Sequence, residues 1–337
     1  MSIELKAVNT IRTLSMDGVQ KANSGHPGTP MALAPVAYQL WQEILRYDPV
    51  HPSWPSRDRF VLSCGHASML LYSVLHVAGV RKADGAAEPS LTLDDLRNFR
   101  QLHSPCAGHP EFGYAAGIEM TTGPLGQGIA TSVGMAMGAK FLAARYDRPG
   151  YSMFEFDVFA LCSDGDIMEG VGCEAASLAG HLKLSNLCWI YDDNRITIEG
   201  ETDLAFSENV GQRFEGLGWN VVHVADANDL SALSAAYHNF LKTTDRPTLI
   251  IVRSVIGYGS PNKANSHAAH GAPLGDDEVR KTKEAYGWPV EPTFLVPDDV
   301  RAHFADGIGK RGAALYADWT QRFAKYESTY PELAAEL

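Results

Sequence analysis

The chain has 337 residues, 45% hydrophobic and 20% charged, with 31 glycines and 18 prolines. That is a globular composition, and a chain of this length buries roughly three quarters of its unfolded surface. Lys+Arg number 28 against 40 Asp+Glu, a formal net charge of −12, which argues against non-specific binding to nucleic acid or an anionic membrane. A local anion site is still compatible with that balance. Residues Met1 to Lys21 mix charged and apolar positions, unlike a signal peptide, and no apolar run is long enough to span a bilayer. Cys64, Cys106, Cys162, Cys173 and Cys188 form no CxxC pair. They read as reduced cysteines of a cytoplasmic protein.

In chain order, a helix is expected from about Ser2 to Ala22, stopped by Asn23-Ser24-Gly25-His26-Pro27-Gly28. A second helix is expected from Met31 to Leu45, then a short buried strand at Arg59–Ser63 and a helix over Ser68–Ala78. A long loop rich in Gly, Pro and His covers residues 102–128. Beyond it, helices are expected at Ile129–Tyr146, Met168–Leu182 and Leu230–Lys242. Strands are expected at Val158–Cys162, Leu187–Tyr191, Val221–Val224 and Thr248–Val252. Apolar strands alternating with helices predict an α/β fold, a mostly parallel sheet with helices on both faces. From about Pro292 the pattern turns helical and more polar.

In such a sheet ligands sit at the carboxyl ends of the strands. Ser163-Asp164-Gly165-Asp166 and Asp192-Asp193-Asn194 each follow a strand, and Asp164 and Asn194 lie 30 residues apart, one βαβ crossover. A carboxylate and an amide oxygen suit octahedral Mg²⁺ shared with phosphate oxygens and water. Acids at strand ends also serve as turn formers or caps. Gly123-Pro124-Leu125-Gly126-Gln127-Gly128 can offer backbone N–H groups to an anion, or simply be a tight turn before a small-residue helix. In that helix Gly134 and Gly138 are expected to allow close helix packing. His26, His66, His109 and His270 each sit beside Gly or Pro in a loop. Singly each suits a surface or capping role; together they point to a polar, proton-handling site.

These motifs, with Glu169-Gly170, Ile196-Thr197-Ile198 and the run Ser266 to Gly275, resemble the N-terminal, diphosphate-binding half of a transketolase, across essentially the whole chain. One departure is Ser163, where thiamine-diphosphate enzymes usually carry Gly before Asp-Gly; the ligand residue after it is intact. The resemblance implies a thiamine-diphosphate-binding fold at 1–290, with a helical tail at 291–337 leading toward a pyrimidine-binding domain. It implies that Asp164 and Asn194 hold Mg²⁺ (or Ca²⁺) by side chain and Ile196 by its carbonyl. Gly165 would approach the phosphates, and His66 and His270 would hydrogen-bond them. Gly123, Pro124 and Leu125 would line the cofactor, with Ile198 near its thiazolium. His26, His109 and His270 would face a sugar phosphate near its reacting groups. Glu169 resembles a buried interface glutamate, and would otherwise be a helix N-terminal charge.

The activity implied is two-carbon ketol transfer from a ketose phosphate to an aldose phosphate, as in the pentose phosphate pathway. A dihydroxyacetone-synthase-type enzyme, or an inactive cofactor-binding or dimerising module, is the alternative. The implied partner is a second copy of the chain or a complementary pyrimidine-binding domain or subunit. The sequence stops near where that domain would begin. The expectation is therefore a piece of a longer chain, or one subunit of a split enzyme, inactive alone.

Overall fold

A computed structural model describes residues 1–337. Five strands form one all-parallel sheet: β1 (Arg59–Leu62), β2 (Val158–Ser163), β3 (Leu187–Asp193), β4 (Asn220–Val224) and β5 (Thr248–Arg253), in the order β1-β2-β3-β5-β4. Successive side chains point to opposite faces, and β2 shows the consequence. Phe159 and Leu161 enter one apolar core, while Val158, Ala160 and Cys162 enter another. Both faces are covered, as parallel sheets require.

The first face carries α1 (Ile3–Ala22), α2 (Gly28–Gln39), α3 (Ser68–Val77) and α9 (Leu230–Lys242). The second carries α5 (Gln127–Tyr146) and α7 (Gly170–His181), with Trp189 of β3 buried between them. The Trp189 indole donates to Ser132 Oγ at 2.9 Å and packs on Trp219 with ring centroids 4.7 Å apart. A pair of that kind adds about 0.5–1.5 kcal/mol beyond its burial. Short helices α4 (Leu93–Arg97), α6 (Asp164–Met168) and α8 (Val210–Gly216) sit in the connections.

Past β5 come α10 (Asp276–Ala285), α11 (Asp298–Phe304), α12 (Lys310–Thr329) and α13 (Pro331–Glu336). Phe294, Val300, Phe304 and Ile308 join the first core, and Tyr326 joins the second. No helix is long and apolar enough to cross a membrane.

Three details differ from the sequence expectations. The second helix starts at Gly28, tolerates Pro35, and ends in a wide π-type turn at Leu40–Ile44. The helix expected at Met168–Leu182 is broken at Glu169, whose extended backbone (ψ 138°) separates α6 from α7. Gly134 and Gly138 were expected at a close helix contact, yet a Cβ added at either meets nothing within 4 Å. They lie on an open face of α5, so their small size is not required by packing inside this chain.

Candidate active site

Chain reversals at one end of the sheet bring four sequence-distant loops together. Helix α1 stops where Asn23 turns left-handed (φ 48°) and its N–H returns to Gln20 and Val19, a C-terminal cap that ejects the chain toward His26. His66 sits on the turn Gly65–Ala67 directly after β1. His270 follows the turn His267–Ala269 beyond β5. The Gly257 N–H donates to the Gly28 carbonyl at 3.0 Å, fastening the His26 and His270 segments to each other. His109 lies on the loop between α4 and α5, which α3 anchors. Ser68 Oγ donates to the Gly108 carbonyl at 2.9 Å and the Tyr72 hydroxyl to that of Ala107 at 2.8 Å.

His26, His66 and His270 form a mutually packed triangle, with ring centroids 5.0, 5.3 and 5.7 Å apart. His26 Nδ1, His66 Nε2 and His270 Nδ1 are buried without a partner. Burial, then the neighbouring histidines and the Arg100 guanidinium, push His26 down to about 4. Burial with His26 and His270 pushes His66 down to about 3. Burial lowers His270, and burial with Arg100 lowers His109. All four are therefore neutral near pH 7, each with one N–H and one lone pair. Between the ordinary value of 6.5 and about 4 the unfolded chain carries a proton on His26 that the folded chain refuses. This group's contribution to stability is thus present above 6.5 and falls as pH drops through that window. In an NMR titration the His26 and His66 imidazole signals are expected not to shift between pH 8 and 5. A midpoint near 6.5 for either would contradict this burial.

The carboxylate side of the site comes from β2 and β3. Their register pairs Ser163 with Asp192, so Asp164 and Asn194 emerge at the same edge. Asp164 is buried; the Tyr191 hydroxyl donates to its Oδ1, and Oδ2 has no partner. Burial pushes Asp164 up to about 7, against the Tyr191 hydrogen bond. Asn194 donates through Nδ2 to Asp192 Oδ2 at 2.7 Å, which fixes the amide orientation. Its Oδ1 accepts the Ile196 N–H at 2.8 Å and keeps a second lone pair. Asp192, itself fully buried, accepts from Ser254 Oγ at the end of β5. No cluster of three or more His, Cys, Asp or Glu forms an all-protein metal cage. Asp164 and Asn194 instead present one carboxylate and one amide oxygen at the same edge, oxygen donors of the kind that suit Mg²⁺ together with phosphate oxygens and water.

The glycine-rich loop closes the third side. Gly126 adopts φ 81°, which favours glycine, and a Cβ there would come within 2.7 Å of Glu169 Cβ. A Cβ at Gly165 would come within 2.6 Å of Leu125 Cδ1, so the two loops touch only because Gly165 lacks one. Gly123 lies beside the His109 ring; Pro124 is exposed and Leu125 half-buried. Ile198 is exposed on the loop after β3, and Glu169 is exposed against Gly126.

Of the further residues that bear on this geometry, Asp166 and Asp192 were read in sequence only as members of the metal-capable strand-end runs, and Tyr191, Ser254 and Arg100 had no role of their own. Asp166 and Asp192 lie inside the quoted motifs, so the signal was present. Tyr191 and Ser254 gain meaning only from strand register, and no sequence signal reveals it.

An open parallel α/β sheet with neutral histidines, a buried carboxylate and a glycine-rich loop at its carboxyl edge is the architecture of an α/β ligand-binding domain, with the ligand at the strand ends. Residues 3–337 match the family model described as transketolase, thiamine diphosphate binding domain, and the chain belongs to that family. It is 51% identical over 336 residues to the transketolase of Geobacillus stearothermophilus, covering 100% of this chain and 49% of that relative. It is 51% identical over 337 residues to the chloroplastic transketolase-1 of Arabidopsis thaliana, 44% of which is covered. A solved transketolase of Pichia stipitis in complex with sedoheptulose 7-phosphate superposes with TM-score 0.94 at 43% identity, over 100% of this chain and 48% of that one. The transketolase of Campylobacter jejuni gives 0.90 at 41% identity, over 98% and 50%. The chain spans about half the length of the relatives it matches.

Proposed function

We propose that this chain is the diphosphate-binding half of an enzyme that moves a two-carbon ketol unit from a ketose phosphate to an aldose phosphate. The observation that carries the reading is the set of unpartnered buried atoms at one sheet edge: Asp164 Oδ2, His26 Nδ1, His66 Nε2 and His270 Nδ1. Each is a polar atom whose burial costs free energy until a ligand meets it.

In this reading Asp164, Asn194 and the Ile196 carbonyl hold Mg²⁺ (or Ca²⁺), which ties the diphosphate of thiamine diphosphate to the chain. His66 and His270 hydrogen-bond the diphosphate, Gly165 leaves room for it, and Gly123, Pro124, Leu125 and Ile198 flank the rest of the cofactor. Thiamine diphosphate, when bound, supplies the nucleophilic carbon and the electron sink for making and breaking the carbon–carbon bond. The chain's own work is at oxygen. A neutral imidazole donates its N–H to a developing alkoxide and accepts a hydroxyl proton at its free nitrogen. His26, His109 and His270 take these roles toward the sugar. The solved relative holding a sugar phosphate supports the substrate class.

The proposal includes a pyrimidine-binding domain over the other half of the cofactor and pairing with a second copy. Pairing is supported by the open face of α5 and its surroundings, where Met137, Phe141, Val171, Leu178 and Leu182 are exposed. Glu169 belongs beside that interface. Sedimentation showing a strict monomer at high concentration would count against it. Five free cysteines, four of them buried, support a reducing, cytoplasmic setting.

The test mixes this chain with the second half of the Geobacillus stearothermophilus transketolase, thiamine diphosphate and Mg²⁺. Ketol transfer is expected on mixing and lost on chelation. A complex that takes up cofactor yet transfers nothing contradicts the reading.

A further inference from the structure

Helix α5 runs for 20 residues but starts at a glycine, Gly126, so it has no side chain of its own to satisfy its first N–H groups. Two side chains from elsewhere do this. Ser63, one residue past β1, accepts the Ile129 N–H at 3.0 Å. The same hydroxyl donates to Asp166 Oδ1 at 2.7 Å, and that oxygen also accepts the Gly126 N–H at 2.8 Å. The other oxygen, Oδ2, accepts the Ser163 N–H at 3.0 Å and lies 3.4 Å from Ser163 Oγ. Asp166 is fully buried, and every group that meets it is a donor. One carboxylate therefore joins the end of β1, three residues before His66, the glycine-rich loop, and the β2 turn that carries Asp164 and Gly165.

We infer that Asp166 is the positioning residue of the diphosphate site. Capping α5 in trans, directly and through Ser63, it fixes the glycine-rich loop against Asp164 and His66. Only a group with acceptors on both oxygens fits. An amide at this position could still accept from Ser63 and Gly126, but it would turn an NH₂ toward the Ser163 N–H. Nothing here requires Asp166 to touch the cofactor, so its effect is read in the loops first and in affinity second. The inference rests on the cofactor reading above.

The test compares the unaltered chain with Asp166→Asn, Ser63→Ala and Tyr237→Phe. The last is a control that removes a buried hydrogen bond to the Val36 carbonyl in the α2–α9 contact. Amide hydrogen exchange is measured without cofactor, and thiamine diphosphate is then titrated with Mg²⁺ into each chain mixed with the second half of the Geobacillus stearothermophilus transketolase. Asp166→Asn is expected to speed exchange at Gly126, Ile129 and Ser163 together, by about tenfold or more. It should weaken thiamine diphosphate binding by about 10- to 100-fold, the usual effect of losing a group that orients ligating residues. Ser63→Ala gives a weaker form at Gly126 and Ile129, and decides the matter if Asp166→Asn does not fold. Tyr237→Phe lowers the melting temperature with neither effect. Unchanged exchange at Gly126 and Ser163 in folded Asp166→Asn overturns the inference, as does loosening without any loss of affinity. If the mixture with the unaltered chain binds no thiamine diphosphate, the functional reading fails instead, and the exchange rates alone decide whether Asp166 holds the three loops.

Discussion

Asp164→Asn is expected to leave the chain folded and slightly more stable without ligand, while removing most of the proposed affinity for a metal-linked diphosphate. The buried Asp164 carboxylate has one oxygen without a partner, and no cation beside it offsets the cost of that burial. The amide keeps an acceptor for the Tyr191 hydroxyl and drops the charge. A gain of about 1 kcal/mol is expected, of the kind seen when a functional compromise is relieved. Affinity moves the other way. Asp164 is the only carboxylate in the proposed donor set, so the loss should exceed the roughly 10- to 100-fold typical of groups that merely orient ligands. Thermal unfolding without ligand and titration of thiamine diphosphate with Mg²⁺ check the two halves separately. Unchanged affinity would remove Asp164 from the metal site.

His26→Ala in the assembled enzyme is expected to cost about 10²–10⁴-fold in turnover, the usual worth of a positioned proton-transfer group. KM should change far less, and the melting temperature by only a few degrees. The reason lies in placement. His26 packs against both His66 and His270, its Nδ1 unpartnered, and burial with the neighbouring charges pushes it down to about 4. At pH 7 it is therefore neutral, with one N–H to donate and one lone pair to accept. His51 is the contrast: Asp48 already engages its Nδ1 at 2.6 Å, and its ring stacks on Tyr316 at 3.8 Å. His51→Ala should leave turnover within about threefold. Steady-state kinetics on both variants give the comparison. A His26→Ala enzyme that matches His51→Ala would end the case for His26 as a catalytic group.

The sheet was legible because its inner strands are short apolar runs buried on both faces. Phe159 and Leu161 face one core and Ala160 the other, so the run is continuous rather than alternating. The break at Glu169 was not legible, because Glu169 is one extended residue, neither Gly nor Pro, between two helices. Gly134 and Gly138 misled because a small residue reads the same whether a neighbour or open space lies beside it. Within the site, the four loop histidines stood out by their Gly and Pro neighbours. That three of them pack within 6 Å of one another depends on loops following α1, β1 and β5 meeting at one edge, which no local pattern encodes. Asp166 is the sharpest case. In sequence it is the second acid of Asp-Gly-Asp; in the fold it caps a helix that begins 39 residues earlier in the chain.

In the proposed reading the carboxyl edge of β2 and β3 holds a divalent cation and, through it, the diphosphate of thiamine diphosphate. A crystal structure of the chain grown with thiamine diphosphate and Mn²⁺, with anomalous data collected for the metal, tests it most directly. One metal peak is expected in contact with Asp164 Oδ2, Asn194 Oδ1 and the Ile196 carbonyl, with the diphosphate reaching His66 and His270. A metal bound elsewhere, or a cofactor diphosphate that avoids this edge, would contradict it.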